Sequence, residues 1–387
     1  MIKKQENTME DIKINIFKIQ EIIESHDNFF FYFSPDPDAV GVSIAFALYL
    51  RHMHKESAIY LPEGFDPNLD FLFDIASYNK IKIIKEFDKV LKHLKEYKPL
   101  FVTCDTATHF LLPHFNEINQ IREKLCPKIS VELDHHFGGD SEIIFENSIT
   151  LFSKSNSSCE ILAEFIETVG KNKFEHIDKM FPRNIVLSLL IGICFDTQFG
   201  KFVVDQNNYD KWFAFLSERL KEITYSNPKY LNSGTKVFEA INKMNETKLQ
   251  ILEDLVKKTR VLKNIGLLII PPIGIYDSLA PSGDSTCILS KIVSDLSNLI
   301  PEFSGKIGIL AYFDDVSRIY FLKIRRSYAY KDFDLREFES ILTEIFGKEY
   351  MGGGGHAGAT SFRLNYMERS EFIDKIEEFH IKVSKII

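Results

Sequence analysis

The chain of 387 residues carries a formal net charge of -8, an apolar fraction of 45% and a pI near 5.8. This length and composition are typical of a globular protein with two domains of ordinary size. The acidic balance argues against a protein that grips long DNA or RNA, because such binding rests on many Lys or Arg contacts to phosphates. We therefore expect no long nucleic acid among its partners.

The five cysteines are widely spaced and form no CxxC pair, so the sequence suggests neither a disulfide framework nor a zinc site. The amino-terminal stretch is charged throughout and lacks the apolar core of a signal peptide. The longest apolar stretch, Ile185 to Phe195, is shorter than the roughly 18 to 20 residues that span a bilayer, and it is predicted to form a buried helix. The sequence thus predicts a cytoplasmic protein with no membrane partner.

Short apolar runs alternate with helical patterns through the first half of the chain. This alternation predicts a mostly parallel sheet with crossover helices. The predicted strands lie at 28–33, 57–60, 81–84, 100–104 and 129–133, with a helix over 40–54.

The pattern breaks between about Glu222 and Thr235, where turn residues cluster, and we place a domain boundary there. A charged helix over 236–260 is predicted to connect the halves. Strands are predicted at 265–270, 306–313 and 319–325, and helices near 286–299, 335–346 and 369–385. The predicted fold class is α/β, with an N-terminal domain over 1–225, a linker and connecting helix over 226–260, and a smaller C-terminal α/β domain with a mixed sheet over 261–387.

Acidic and imidazole side chains follow the predicted strands of the first half. In parallel sheets, ligands bind beyond the carboxyl ends of the strands, so we expect these side chains to share one cleft. If Asp36 and Asp38 stood alone, helix capping would be the better explanation for them. The residues after strands are Asp36, Asp38, Asp105, Asp134, His135 and His136, and Asp196, which ends the apolar stretch from Ile185 to Phe195, completes the set.

Four carboxylates in one cleft, those of Asp36, Asp38, Asp105 and Asp196, would repel one another unless cations neutralised them. Two divalent ions match that charge. Carboxylate oxygens with an imidazole suit Mn²⁺, while Mg²⁺, Fe²⁺ and Co²⁺ are left open by the ligands alone. A pair of ions about 3.5 to 4 Å apart is the usual arrangement for two-metal phosphoryl hydrolysis.

The order of these motifs resembles that of the DHH phosphoesterase family, in its oligoribonuclease (nanoRNase) and cyclic-dinucleotide phosphodiesterase types. In the second half, Gly352 to His356 resembles the glycine-rich signature of the accompanying DHHA1 domain, and Arg326-Ser327 resembles its Arg-Ser motif. The resemblance covers nearly the whole chain. It implies a DHH metal-binding catalytic domain followed by a DHHA1 substrate-binding domain.

The resemblance also implies roles for individual residues. The first Mn²⁺ would be bound by Asp36 and a bridging Asp105, and the second by Asp38, Asp105, His135 and Asp196. Asp134 would orient the imidazole, and His136 would approach the substrate phosphate. The implied substrate-binding residues are Arg326, Ser327, Gly353, Gly354, Gly355 and His356.

Two short motifs have a second interpretation. The glycine tract is either a flexible turn or a loop whose backbone approaches a phosphate closely, and the DHHA1 resemblance favours the loop. The stretch Ser157-Ser158-Cys159-Glu160 is predicted to cap a helix, with Ser157 as a candidate phosphate contact.

One position departs from the family pattern. The family has a histidine four residues before the first motif aspartate, and here that residue is Tyr32. A tyrosine is a poor ligand for Mn²⁺ unless it is deprotonated, which its pKa near 10 resists. Occupancy of the first metal position is therefore the weak point of the prediction.

The leading prediction is a metal-dependent, exonuclease-type phosphodiesterase that converts short oligonucleotides, or linear or cyclic dinucleotides such as diadenylate, to mononucleotides. Activity on 3′,5′-bisphosphoadenosine belongs to the same prediction. The alternatives are a nucleotide-binding protein that lost catalysis through Tyr32, and a manganese inorganic pyrophosphatase, against which the Gly353 to His356 signature argues. The sequence leaves open the preferred substrate, the cleavage polarity and whether the chain forms a homodimer.

Overall fold

The computed structural model describes the chain apart from residues 1–3, 5–6, 35, 62–64, 137–140, 174–176, 225–230, 244–245, 272–284, 315–316 and 331–332. Its contacts divide into two compact units. The first unit contains the described residues up to Lys243, and the second contains those from Glu246 onward.

A six-stranded parallel sheet forms the centre of the first unit. Its spatial order is β3-β2-β1-β4-β5-β6, and every neighbouring pair runs parallel. The order reverses between β1 and β4, which is where open parallel sheets form their ligand crevice. The strands are β1 (Asn28–Phe31), β2 (Glu56–Tyr60), β3 (Lys82–Ile84), β4 (Leu100–Cys104), β5 (Ser130–Asp134) and β6 (Ser148–Phe152).

Helices cover both faces of this sheet, which is why its strands are almost continuously apolar. Along β1 and the residue that follows it, Phe29 and Phe31 pack into the core on one face, whereas Phe30 and Tyr32 pack into the core on the other. The helices of this unit are α1 (Met9–Ser25), α2 (Pro37–His52), α3 (Asp70–Tyr78), α4 (Phe87–Tyr97), α5 (Phe115–Leu125), α6 (Ser158–Lys173), α7 (Arg183–Asp196), α8 (Gln206–Ile223) and α9 (Gly234–Ile241).

The second unit contains a mixed sheet in the order β11-β12-β10-β9-β8-β7, parallel only at the β8 and β9 pair. Its strands are β7 (Arg260–Leu262), β8 (Ile265–Ile269), β9 (Ile307–Asp314), β10 (Ile319–Arg326), β11 (Tyr350–His356) and β12 (Ala359–Leu364). Its helices are α10 (Glu246–Lys257), α11 (Ser285–Ser304), α12 (Phe338–Phe346) and α13 (Arg369–Ile386).

The predicted α/β class, with a mostly parallel first sheet and a mixed second sheet, is confirmed. The apolar stretch from Ile185 to Phe195 lies within the buried helix α7, as predicted. None of the described helices combines the length and the hydropathy that crossing a membrane requires.

Two local predictions were wrong. The expected single helix over 236–260 is two helices, α9 and α10. Helix α9 ends at Ile241 and is capped by Asn242, whose side-chain amide and backbone N–H both donate to the carbonyl of Phe238. The glycine tract is neither a turn nor a loop: it forms most of β11, the edge strand that pairs with β12. Backbone hydrogen bonds to β12 hold these glycines in a strand, although they have no side chains to pack.

Candidate active site

Asp38 lies in the first turn of α2 and is fully buried. Its two oxygens accept hydrogen bonds from the backbone N–H groups of Ser158 at 2.6 Å and Cys159 at 3.2 Å, which begin α6. A helix N-terminus favours a negative charge because its first N–H groups lack partners and the helix dipole points its positive end there. Helix α6 thus fixes the carboxylate of Asp38 in one orientation.

Gly192 on α7 lets two helices meet beside that carboxylate. A Cβ at position 192 would lie 2.0 Å from Oδ1 of Asp38 and 2.5 Å from the sulfur of Cys159. A Cβ on Gly41 of α2 would lie 2.6 Å from the carbonyl oxygen of Ser188 on α7. Glycine is therefore required where α2, α6 and α7 converge on Asp38.

Asp105 follows β4 directly and has a left-handed backbone, with φ of 51°. Non-glycine residues rarely adopt this conformation, although aspartate tolerates it better than most. The backbone N–H of Asp105 donates to the carbonyl of Leu133 at 2.8 Å, and the hydroxyl of Ser158 donates to Oδ1 of Asp105 at 2.8 Å. The strained turn therefore holds Asp105 against β5 and the start of α6.

His135 is the point at which the buried carboxylates meet. Its Nε2 lies 3.1 Å from Asp196, 3.3 Å from Asp105 and 4.0 Å from Asp38, measured to the nearest carboxylate oxygens. Its Nδ1 lies 3.3 Å from the carbonyl oxygen of Ser155, which fixes the ring. Residues from the ends of β4, β5 and α7 and from the start of α2 are thus brought together, as the sequence predicted they would be.

Asp134 and His136 form a second pair at the end of β5. Nδ1 of His136 lies 2.7 Å from Oδ1 of Asp134 and 3.6 Å from Oδ1 of Asp105. The other oxygen of Asp134 lies 2.5 Å from the ammonium of Lys4. The side chain of His136 is 39% exposed, whereas that of Asp134 is 2% exposed. His136 is therefore the solvent-facing member of the pair.

Asp36 is placed less centrally. It is the N-cap of α2, and its Oδ1 accepts a hydrogen bond from the backbone N–H of Ala39 at 2.9 Å. Among the described residues, two groups bring possible metal ligands within 4.8 Å of one another, and Asp36 belongs to neither. The groups are Asp105 with His135 and His136, and Asp38 with His135 and Asp196.

Tyr32 points into the apolar core formed with Tyr60 and Phe101. Its hydroxyl donates to the carbonyl oxygen of Pro113 at 2.6 Å, and burial raises the pKa of the phenol above its usual value. A phenol that is buried among apolar rings and stays protonated is a poor ligand for a cation. Tyr32 therefore does not supply the metal ligand that the sequence resemblance would place at this position.

The carboxylates of the site differ in their affinity for protons. Burial, together with the charges of Asp105 and Asp196, raises the pKa values of Asp36 and Asp38 well above the usual range. Burial opposes the charge of Asp105 too, but His136 and His135 hold its pKa below the usual value. Full ionisation of all the carboxylates is thus unfavourable, and a bound cation would offset their mutual repulsion.

The histidines carry the opposite shifts. Burial opposes the charge of His135, yet hydrogen bonds and charge from Asp105 and Asp196 raise its pKa well above the usual value. Desolvation likewise opposes the charge of His136, but Asp134 and Asp105 raise its pKa to about 9. In the metal-free protein, the protonated rings therefore bond the carboxylate oxygens of the site. Divalent cations would compete with the rings for those oxygens.

The donor set fits divalent cations. It consists of carboxylate oxygens with one or two imidazole nitrogens and no thiolate, the combination expected for Mn²⁺ or Mg²⁺ rather than structural zinc. Cys159 lies beside Asp38, but burial raises the pKa of its thiol well above the usual value, so it stays protonated. The site can therefore hold hard cations with oxygen and nitrogen ligands.

The predicted substrate-binding residues of the second unit are spread along its sheet. Arg326 ends β10, and its guanidinium donates to the carbonyl oxygen of Phe333 at 2.6 Å. Ser327 is buried and bonds the backbone carbonyls of Lys306 and Gly305. Gly353, Gly354 and Gly355 pair with β12, where a Cβ on Gly355 would lie 2.1 Å from a carbonyl oxygen. The side chain of His356 lies outside the described part of the chain.

Sequence reasoning missed three residues that shape the first-unit site. Ser158 contacts both Asp38 and Asp105, Gly192 makes room for Asp38, and Lys4 pairs with Asp134. The small-residue start of α6 was a usable signal for Ser158. Lys4 had no such signal, because it lies 130 positions from its partner. Ser157 accepts a hydrogen bond from the N–H of Glu160 at 3.4 Å, which is a capping contact.

Comparison with known proteins finds one family profile that matches part of the first unit. Residues 30–193 match the profile described as "DHH family, N-terminal domain". These residues include Asp36, Asp38, Asp105 and the Asp134 to His136 motif, and they end three positions before Asp196. No match was found among curated proteins.

Two solved structures are among those found by comparison with the fold. An exopolyphosphatase-related protein from Bacteroides fragilis superposes with a TM-score of 0.67 at 16% identity, covering 97% of this chain and 97% of that one. RecJ in complex with Mn²⁺ from Thermus thermophilus gives a TM-score of 0.47 at 10% identity, covering 98% of this chain and 56% of that one. At its level of identity, the first of these shows a shared fold.

Proposed function

This chain carries a DHH-family domain over residues 30–193, and from that premise we propose that it is a divalent-metal-dependent phosphodiesterase acting on small nucleotides. Members of the family are metal-dependent hydrolases. The observation that carries the proposal is the convergence of Asp38, Asp105 and Asp196 within 4.0 Å of one ring nitrogen of His135.

Two positions for Mn²⁺ follow from the proposal. Asp38, Asp105, His135 and Asp196 would hold one ion, and Asp36 with Asp105 would contribute to the other. When bound, such ions supply Lewis acidity that lowers the pKa of water and offsets charge on the phosphoryl group. Asp38, Asp105 and Asp196 are already assembled around His135, so we expect the ion at this position to bind more tightly. The ion at Asp36 has no ligand from Tyr32 and should bind more weakly.

The chain's own groups would divide the remaining work. Asp134 engages Nδ1 of His136, which leaves Nε2 as the nitrogen that can meet a phosphate oxygen. In the metal-free protein, burial opposes the charge of His136 but Asp134 and Asp105 raise its pKa to about 9, and a ring that carries both protons can donate a charge-assisted hydrogen bond through Nε2. The N-terminus of α6 holds Asp38 through Ser158 and Cys159, so that carboxylate need not reorganise during the reaction.

Charge favours a small substrate. A net charge of -8 suits the binding of a dinucleotide through a few cationic contacts better than the tracking of a long single strand. We propose short oligonucleotides and linear or cyclic diadenylate as substrates, with 3′,5′-bisphosphoadenosine as a further candidate. In this proposal Arg326, Ser327 and the glycine strand contact the nucleotide.

A second candidate function is nucleotide binding without turnover. The position of Tyr32 favours it, because the phenol is buried and bonded to Pro113 where the family supplies a metal ligand. This candidate and the enzyme differ in a simple way: only the enzyme consumes substrate when Mn²⁺ is added.

A parallel substrate panel tests the proposal. Purified protein with Mn²⁺ or with EDTA is offered linear diadenylate, cyclic diadenylate, 3′,5′-bisphosphoadenosine, RNA of about two to ten nucleotides and pyrophosphate. We expect Mn²⁺-dependent release of mononucleotides from the shortest diesters. Hydrolysis of pyrophosphate alone would contradict the proposed substrate class, and metal-independent binding with no turnover would establish the second candidate instead.

A further inference from the structure

The amino-terminal segment around Lys4 lies against the candidate site. The backbone N–H of Lys4 donates to the carbonyl of Ser141 at 3.3 Å. Asn7 exchanges two hydrogen bonds with the backbone of Phe152, at 3.2 Å and 2.9 Å, at the end of the edge strand β6. The segment is therefore anchored at Lys4 itself and again at Asn7.

The side chain of Lys4 is buried between two acceptors. Its ammonium lies 2.5 Å from Oδ2 of Asp134 and 2.7 Å from the carbonyl oxygen of Thr106, and the side chains of Lys4 and Asp134 are each 2% exposed. A buried ammonium is unfavourable unless it is paired and hydrogen-bonded, and both conditions hold here. The contact is thus specific to this arrangement and unlike a screened surface ion pair.

Asp134 connects this lysine to His136. One carboxylate oxygen faces the ammonium of Lys4, and the other accepts from the ring of His136 at 2.7 Å. A carboxylate held from both sides has little rotational freedom, so the position of Lys4 determines the direction in which Asp134 presents its second oxygen. The ring of His136 is oriented in turn.

We propose that Lys4 is a positioning residue for the phosphoester reaction, which locks Asp134 so that His136 faces the substrate phosphate. The inference rests on the proposed function. It adds a role for the amino-terminal segment, which lies outside the matched residues 30–193. Lys4 also supplies one fixed positive charge to a cluster of five carboxylates and two histidines, and this charge does not depend on a bound cation.

The test compares Lys4→Met, which keeps much of the side-chain length but removes the charge, with Lys4→Arg, which keeps the charge. Asn15→Ala is the matched control, because it loosens the same region by removing a hydrogen bond of 2.9 Å from α1 to Thr150 and does not touch Asp134. For Lys4→Met at saturating Mn²⁺ we expect kcat to fall about tenfold to a hundredfold, as for other groups that orient a ligand, with KM within about twofold. Lys4→Arg should recover much of that loss, and Asn15→Ala should retain the wild-type kcat.

A second readout does not require turnover. In ¹⁵N-histidine-labelled protein, the Nδ1–H signal of His136 that reports its hydrogen bond to Asp134 should be lost or shifted in Lys4→Met and kept in Asn15→Ala. An unchanged His136 signal and wild-type kcat in Lys4→Met would overturn the proposal, as would an equal loss of kcat in Asn15→Ala. If the wild-type protein turns over no substrate, the proposed function fails, and the spectra still decide whether Lys4 positions His136.

Discussion

The two units use their motif residues in opposite ways. In the first unit, three carboxylates from separate parts of the chain, those of Asp38, Asp105 and Asp196, lie within 4.0 Å of one nitrogen of His135. In the second unit, the glycine tract is an edge strand, and the side chains of Arg326 and Ser327 donate to backbone carbonyls of residues outside the strands. The first arrangement brings together carboxylates that repel one another. In the second, the same kind of motif residues take part in the hydrogen bonds of their own unit. Turnover is therefore expected to depend on the first unit and substrate selection on the second.

The largest expected effect tests the first half of that comparison. Asp105→Asn removes the carboxylate that contacts His135, His136 and Ser158, and we expect kcat/KM to fall about a thousandfold on every substrate, since metal electrostatics contribute several kcal/mol. Asp27→Asn, which makes the same change in an exposed pair with Lys55, is the control. Substrate-dependent loss in Asp105→Asn would assign this residue to recognition and erase the difference between the units.

The next largest effect is the change in stability of the first unit when the metal is removed, and Trp212 fluorescence can measure it. This is the only tryptophan, and it is buried in α8 of the first unit, so its fluorescence reports that unit alone. Mn²⁺ at about a hundredfold excess over its Kd should raise the free energy of unfolding of the first unit by about 2.7 kcal/mol. The transition of the second unit should not respond. A shift of both units together would break the comparison.

The pH dependence of the metal-free protein follows from the same charges. A group whose pKa is raised by folding contributes stability below its unfolded-state pKa, and loses it as the pH rises through the folded-state value. The lowered pKa values of Asp105 and Asp134 already contribute fully above about pH 5. The remaining groups all have raised pKa values: Asp36, Asp38, Asp196, His135 and His136.

We therefore expect the metal-free first unit to lose stability between about pH 5 and pH 8, and Mn²⁺ to reduce that loss. Urea unfolding followed by Trp212 fluorescence, with EDTA or Mn²⁺ at each pH, measures both. Rising stability over this range without metal would contradict the charge assignment.

A smaller effect is expected from Gly192→Ala. The added methyl group would lie 2.0 Å from Oδ1 of Asp38, so the site must shift, and overpacking of this kind costs about 1 to 3 kcal/mol. Mn²⁺ affinity, measured by calorimetry, should fall with stability. Ser188→Ala, on the same buried helix, adds no atoms and should change stability by no more than about 1 kcal/mol. Equal behaviour of the two variants would show that the close approach at Gly192 does not matter.

The smallest effect tests the second half of the comparison. Arg326→Ala should raise KM for diadenylate about tenfold, the loss expected for one charge-assisted hydrogen bond, with little change in kcat or in any pyrophosphate turnover. Arg336→Ala is the matched control, since Arg336 is exposed and pairs with Asp334. A fall in kcat with unchanged KM in Arg326→Ala would place this arginine in the chemistry instead.

The sequence predicted the first sheet well because its strands are buried on both faces and therefore almost continuously apolar. It missed β6, an edge strand in which polar Ser148 and Thr150 interrupt the apolar pattern. It also missed the strand β11, because glycines carry no side-chain periodicity and their pairing with β12 appears only in three dimensions. Buried central strands can thus be located from the sequence, whereas edge strands are harder to locate.

The same limit applies to the site. The carboxylates and histidines were predictable, since each follows a recognisable strand or helix. Lys4 was not, because nothing local distinguishes one lysine in a charged amino-terminal segment from another. The burial of Tyr32 also required the fold, because its alternation with Phe31 determines which face of the sheet it joins.

The most direct test of the central claim is anomalous diffraction at the manganese edge from crystals grown with Mn²⁺. We predict a peak coordinated by Asp38, Asp105, His135 and Asp196, with weaker or substrate-dependent density at Asp36. The absence of any peak at these carboxylates, in protein that remains folded by Trp212 fluorescence, would contradict the assignment of the first unit as the metal-dependent catalytic centre.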